Sequence, residues 1–265
     1  MGSWIFNGFR RIAVFLIIVS FFTGCISYQI LPTPNAISPT QSFEVVAMEP
    51  PPLTVTEGFI NPWFTGAYGP GAGVLAVVYG VVVIIKAQND YRESLRASKE
   101  YEDMLSSNGI WIPTVILANK AAEILESTGK GKITLRPGYV KIPSIIQRER
   151  TILMENWYAP IRAWYNANPS LLHYDRHDER VSDLILEVGI ISYEIYGDNL
   201  MLTVMVKTVD PRDGQVYGKV SKSEMLYVGS AKDLFNDDAR GFKDVFNRIG
   251  FRLLNECLIN LSIVH

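Results

Sequence analysis

Leu184-Ile-Leu-Glu-Val-Gly-Ile-Ile-Ser-Tyr-Glu-Ile-Tyr-Gly-Asp-Asn-Leu-Met-Leu-Thr-Val-Met-Val-Lys207 decides how this chain folds. Leu184–Tyr193 is a nearly unbroken apolar run, the pattern of a buried strand. Tyr196-Gly-Asp-Asn199 carries the residues of a hairpin turn. Beyond it, Leu200, Leu202, Val204 and Val206 alternate with Met201, Thr203, Met205 and Lys207, a period of two with one apolar face. Asp210-Pro-Arg-Asp-Gly214 reads as a second turn, with Pro early and Gly at its end. Val216–Val228 supplies a third strand, polar along Lys219, Ser221 and Ser223. The three predict an antiparallel meander.

Working outward, an amphipathic helix is predicted from about Asp238 to the C-terminus. Phe242, Val245, Phe246, Ile249, Leu253, Leu254, Cys257, Leu258 and Leu261 form its apolar face. Asp237 and Asp238 suit its start, where negative charge meets the macrodipole. On the N-terminal side, Pro113 opens a helix that Gly129 stops. Lys132–Leu135 and Tyr139–Ile142 are short strand candidates. Ile145–Tyr158 predicts another helix, continued past a kink at Pro160. Trp157, Ile161, Trp164 and Tyr165 read as its core-facing stripe, with a partner groove as the alternative. The expected fold class is α+β: an antiparallel meander of three or more strands packed by helices. A long helix with a glycine-rich apolar first half is expected to precede it.

Charge is distributed unevenly. After Arg10 and Arg11 no Lys, Arg or Asp occurs until Lys86, and the only charges between are Glu44, Glu49 and Glu57. The net charge is −2 over 265 residues, with no cluster of Lys and Arg of the kind a nucleic-acid surface needs. Hydrophobic residues make up 48%, enough for a sizeable core.

The first residues have the order of an export signal. A leader ending in Arg10-Arg11 precedes the apolar run Ile12–Phe22, the length of a signal-peptide core and short for a membrane span. The run ends in Phe22-Thr-Gly-Cys25, which resembles the lipobox of bacterial lipoproteins. Gly24 and Cys25 match that pattern; Phe22 stands where the family usually has an aliphatic residue. The resemblance implies a signal peptide over 1–24 and acyl chains, palmitate among them, on Cys25. It implies a lipid-anchored envelope protein, and Ile26, in place of a retaining Asp, favours the outer membrane facing the periplasm. Cys257 is then the one thiol left, read as buried and inert.

Residues 25–57 carry six of the fourteen prolines and read as an extended, semi-stiff tether, with Phe43–Met48 as a short strand inside it. Residues 58–106 are expected to form a glycine-rich apolar segment running into a charged helix, and 107–265 the α+β domain. Trp63 and Phe64 stand near the start of the apolar segment, and Ala72, Ala76 and Gly80 recur every four residues within it. Small residues at that spacing let another helix approach closely. Membrane contact, a helix buried in the protein or a sister subunit, and a strand over Val81–Ile85 remain three readings of this segment.

Catalytic motifs are scarce. His173 and His177 are spaced to share a helix face and bind a metal, but they sit in a polar stretch without the Glu of a metalloprotease. Gly129-Lys-Gly-Lys132 lacks P-loop spacing, and Gly69-Pro-Gly-Ala-Gly73 is broken by Pro70 as a dinucleotide fingerprint. The expectation is a non-enzymatic envelope lipoprotein without cofactor, acting by protein–protein or protein–membrane contact. It is expected to be a homo-oligomer or a subunit of a larger envelope complex. The alternatives are a protein spanning the inner membrane at 58–85 with a cytoplasmic C-terminal domain, and a metal-dependent enzyme using His173 and His177. Residues 184–261, as strand, Asp-Pro-Arg-Asp-Gly turn, strand and terminal helix, are similar in pattern to periplasmic lipoproteins of the curli-secretion type. That resemblance implies oligomeric assembly.

Overall fold

The computed structural model describes residues 29–32, 37, 41–56, 98–107, 109–143, 155–172, 174 and 182–264. The meander is present. β4 (Leu184–Tyr196), β5 (Asn199–Val209) and β6 (Val216–Tyr227) pair antiparallel in sequence order. Leu200, Leu202, Val204 and Val206 all point into one core, as their period of two requires.

The meander is half of a larger, mixed sheet. β1 (Phe43–Met48) and β3 (Ile133–Val140) extend it in the order β3-β1-β4-β5-β6, and β1 runs parallel to both neighbours. β2 (Thr54–Thr56) pairs parallel with the far end of β4. β1 and β2 therefore follow one another along the same edge of β4, interrupted by Pro50-Pro51-Pro52, which offer no N–H to a ladder. This corrects the expectation of a tether: residues 43–56 belong to the sheet, and β1 is central in it. Phe43, Val45, Val46, Ala47 and Met48 are all buried, because β1 is covered on both faces.

The two short candidates at 132–142 merge into the single edge strand β3. Its pairing with β1 shifts between Val45 and Ala47, which oppose Leu135 and Tyr139. Two surplus residues bulge outward there at Arg136-Pro137-Gly138, with Gly138 at φ +70°, where a Cβ would be strained.

Helices cover both faces. On the first lie α2 (Pro113–Ser127), against β1 and β3, and α4 (Ala231–Asn260), against β5 and β6. Phe242, Phe246, Ile249, Leu253, Leu254, Cys257 and Leu258 enter this core at helical spacing. Each fully buried side chain of this size stabilises by about 1.5–3 kcal/mol. Trp111, just before α2, packs edge-on to Phe246 at 5.1 Å and Phe242 at 5.9 Å. Of the charged helix expected up to residue 106, the described part is α1 (98–105). Its Ser98 and Glu102 accept the N–H groups of Val55 and Leu53, tying α1 to β2. The glycine-rich half expected to precede it lies outside the described residues.

Two helices carry details the sequence did not announce. α4 opens with a short stretch from Ala231, where Ser230 is a cap that accepts the N–H of Asp233, and its long amphipathic part resumes after Ala239, close to the start expected at about Asp238. The helix breaks at Asn236–Ala239, and Asp237 and Asp238 take positive φ inside that break instead of starting the helix. Seven residues of continuous helix rise about 10.5 Å. The break instead stacks Phe235 on Phe242 with ring centroids 4.7 Å apart. On the second face, α3 (Glu155–Asn166) runs through Pro160. Ile161, Trp164 and Tyr165 are buried from it, the core-facing stripe read from the sequence.

Candidate functional site

The groups with the most unusual surroundings lie between α3 and the sheet. β4 and β5 place Glu187 and Lys207 opposite one another on the second face. Both side chains are fully buried, with Lys207 Nζ 3.5 Å from Glu187 Oε2. Burial pulls the Lys207 ammonium below its usual range, and the adjacent Glu187 carboxylate opposes that pull. Both oxygens of Glu187 carry further donors. Glu187 accepts from Trp164 Nε1 at 2.6 Å, Ser170 Oγ at 2.8 Å and Tyr174 OH at 2.7 Å. Burial and the neighbouring Glu187 push the Tyr174 hydroxyl well above its ordinary pKa, so it stays a donor.

The lysines close a helix end. The last carbonyls of a helix lack partners and carry the negative end of its dipole. The last turn of α3 holds no basic residue. Instead, the sheet supplies two ammoniums. Lys207 Nζ donates to Trp164 O at 2.8 Å. Lys219 Nζ, from β6, donates to Tyr165 O at 3.3 Å and Asn166 Oδ1 at 3.4 Å. Each also lies over an aromatic ring, Lys207 5.2 Å from Trp164 and Lys219 5.0 Å from Tyr165. The cluster locks α3 onto the sheet. The Glu187 and Lys207 side chains at its centre have no exposed surface.

An open cleft of about 500 Å³ lies on another side, between Glu49-Pro50-Pro51-Pro52, α1 and Trp111, with Tyr193 at its base. Two of its three carboxylates, Glu49 and Glu102, serve the backbone, and Asp103 is the third. Glu49 accepts the N–H of Ile142, and Glu102 that of Leu53. Burial and the neighbouring Asp103 raise the Glu102 pKa, against the lowering effect of that N–H. Among the described residues no group of His, Cys, Asp and Glu is arranged to hold a metal ion. Cys257 is buried with its thiol pushed up to about 12 by desolvation, which keeps it protonated and unreactive.

A third feature is the entry of the chain into the fold. Ile30 exchanges both backbone hydrogen bonds with Lys219 on the outer edge of β6, at 3.0 and 2.8 Å. Gln29 Nε2 adds a bond to Ser221 O at 3.3 Å. Nothing in the sequence announces this pairing, since Gln29-Ile30-Leu31-Pro32 has no strand periodicity.

Cys25, Trp63, Phe64, Ala72, Ala76, Gly80, His173 and His177, the site residues read from the sequence, all lie outside the described residues. No helix among the described residues is long and apolar enough to cross a membrane. Glu187, Lys207 and their partners escaped the sequence reading. Their signal was charge inside otherwise apolar strands.

The described architecture is an α+β fold with a mixed six-stranded sheet and helices on both faces. No protein-family model matches the sequence, and no curated protein matches it. Solved structures give distant likenesses. A PelC dodecamer from Paraburkholderia phytofirmans is 10% identical at a TM-score of 0.37, over 90% of this chain and 97% of that one. Protein XCC0632 from Xanthomonas campestris, of family DUF330, is 11% identical at 0.37, over 87% and 91%. Lipoprotein GNA1162 from Neisseria meningitidis is 12% identical at 0.24, over 81% and 97%.

Proposed function

We propose that this chain is a non-enzymatic lipoprotein of the bacterial cell envelope, held on a membrane by acyl chains on Cys25. The observation that carries the reading is the apolar run Ile12–Phe22 ending in Thr23-Gly24-Cys25. Two acyl chains suffice for stable attachment, at about 0.8 kcal/mol per buried methylene. The mature chain begins at Cys25 and works through protein–protein or protein–membrane contact, as a homo-oligomer or a subunit of an envelope assembly. Its place is the outer membrane, facing the periplasm. Residues 58–85, with Trp63, Phe64, Ala72, Ala76 and Gly80, supply a second contact with the membrane or with a neighbouring helix. The closed state of the Glu187–Lys207 pair supports a structural over a catalytic role for the most perturbed groups described.

Radioactive palmitate tests the assignment in cells. The native chain is expected to take up label and Cys25→Ser to take up none. Label that persists in Cys25→Ser overturns it.

A further inference from the structure

The junction between Ile30 and β6 limits where the folded domain can sit, given the Cys25 anchor proposed above. Ile30 is five residue steps beyond Cys25. A fully extended chain covers at most about 3.5 Å per residue, so Ile30 lies within roughly 18 Å of the lipidated residue. A tether running to residue 57 would allow several times that reach. The pairing of Ile30 with Lys219 removes this freedom and brings the start of β6 close to the bilayer.

Large apolar side chains are exposed near that corner. Leu31, next to the bridge, is 60% exposed. Pro32 and Leu261 meet over Gly218, the residue before Lys219, where an added Cβ would lie 3.1 Å from Pro32 and 2.7 Å from Leu261. The end of α4 is thus fixed at the same corner, and two residues before Leu261 the side chain of Ile259 is 44% exposed. Leu31 on the entering segment and Ile259 in the last turn of α4 are thus large, exposed apolar side chains on the two segments that Gly218 brings together.

We propose that this corner, with Leu31 and Ile259, is the surface that rests in the interface of the bilayer carrying the Cys25 lipid. The domain lies against the membrane and does not swing at the end of a tether. β3, four strand spacings of about 4.8 Å across the sheet, points away from it.

The test uses the full lipidated chain in vesicles of phosphatidylethanolamine and phosphatidylglycerol. Ile259→Cys is labelled with an environment-sensitive fluorophore, with Cys257 buried and Cys25 acylated. Leu135→Cys on β3, 41% exposed, is the control. Brominated phospholipids are expected to quench the label at 259 several-fold more than the label at 135. Leu31→Cys carries the same expectation should Ile259→Cys fold poorly. Equal quenching at the two edges overturns the orientation. So does a label at 259 that is shielded and cross-links to a second copy, which would make the corner a contact between subunits. Palmitate incorporation in the same preparations separates the two readings. Labelled but unquenched protein overturns the orientation alone, whereas unlabelled protein overturns the Cys25 assignment and the orientation with it.

Discussion

The six-membered ring of the Trp164 indole packs directly against the backbone of Gly189. A Cβ added to Gly189 would sit 2.8 Å from Trp164 Cη2 and 2.9 Å from Cζ3. Trp164 is fully buried and held by its Nε1 bond to Glu187, so the ring has little room to retreat. Gly189→Ala is therefore expected to destabilise the protein by about 1–3 kcal/mol through overpacking. Trp164→Phe removes the two clashing atoms. In urea unfolding, the double variant should lose less than the sum of the two single losses. Strict additivity would show that the close approach does not govern the cost.

Breaking the Glu187–Lys207 pair from one side should be severe. Glu187→Gln leaves a buried ammonium facing only carbonyls and rings, and Lys207→Met leaves a buried carboxylate with three donors. Each loss is expected to be about 3–5 kcal/mol. Glu187→Gln combined with Lys207→Met should cost clearly less than the two together. Denaturant midpoints and slopes of the four proteins measure the coupling.

Acid should weaken the fold through Asp210. The Arg212 guanidinium, the Arg212 N–H and the Tyr217 hydroxyl hold its carboxyl at about 2, below the ordinary carboxylate range. Asp183 shifts in the same direction, with Ser42 N–H and Oγ donating to it. A depressed folded pKa gives stability that is present above about pH 4 and is lost as pH falls toward 2. Melting temperatures followed from pH 6 down to about 2 should fall. Asp210→Asn is expected to be less stable at pH 6 and to fall less steeply. An unchanged slope in that variant would remove Asp210 from the explanation.

The meander was legible because its signals are local. Tyr196-Gly-Asp-Asn199 and Asp210-Pro-Arg-Asp-Gly214 both close turns between adjacent strands. β1 was harder. Its parallel partners β3 and β4 lie about 90 and 140 residues away in sequence, so no turn announces them. Phe43–Met48 reads as a short strand, but the prolines around it place it in a tether and hide its central position in the sheet. Pro113 and Gly129 did mark α2, whereas the cap at Ser230 went unread beside the more conspicuous Asp237-Asp238 pair. The candidate site was largely illegible. Glu187, Lys207 and Lys219 acquire their roles only when three strands meet the end of α3.

The bulge at Arg136-Pro137-Gly138 has a consequence for crowded conditions. A straight outer strand invites other chains to add to it and to grow into fibrils. Here the exposed rim is kinked, and Pro137 withholds a donor from any incoming backbone. On the opposite rim, Gln29 and Ile30 already occupy part of the border. Strand-by-strand polymerisation is thus disfavoured at both borders. Any association between copies is then left to side-chain faces and not to backbone ladders.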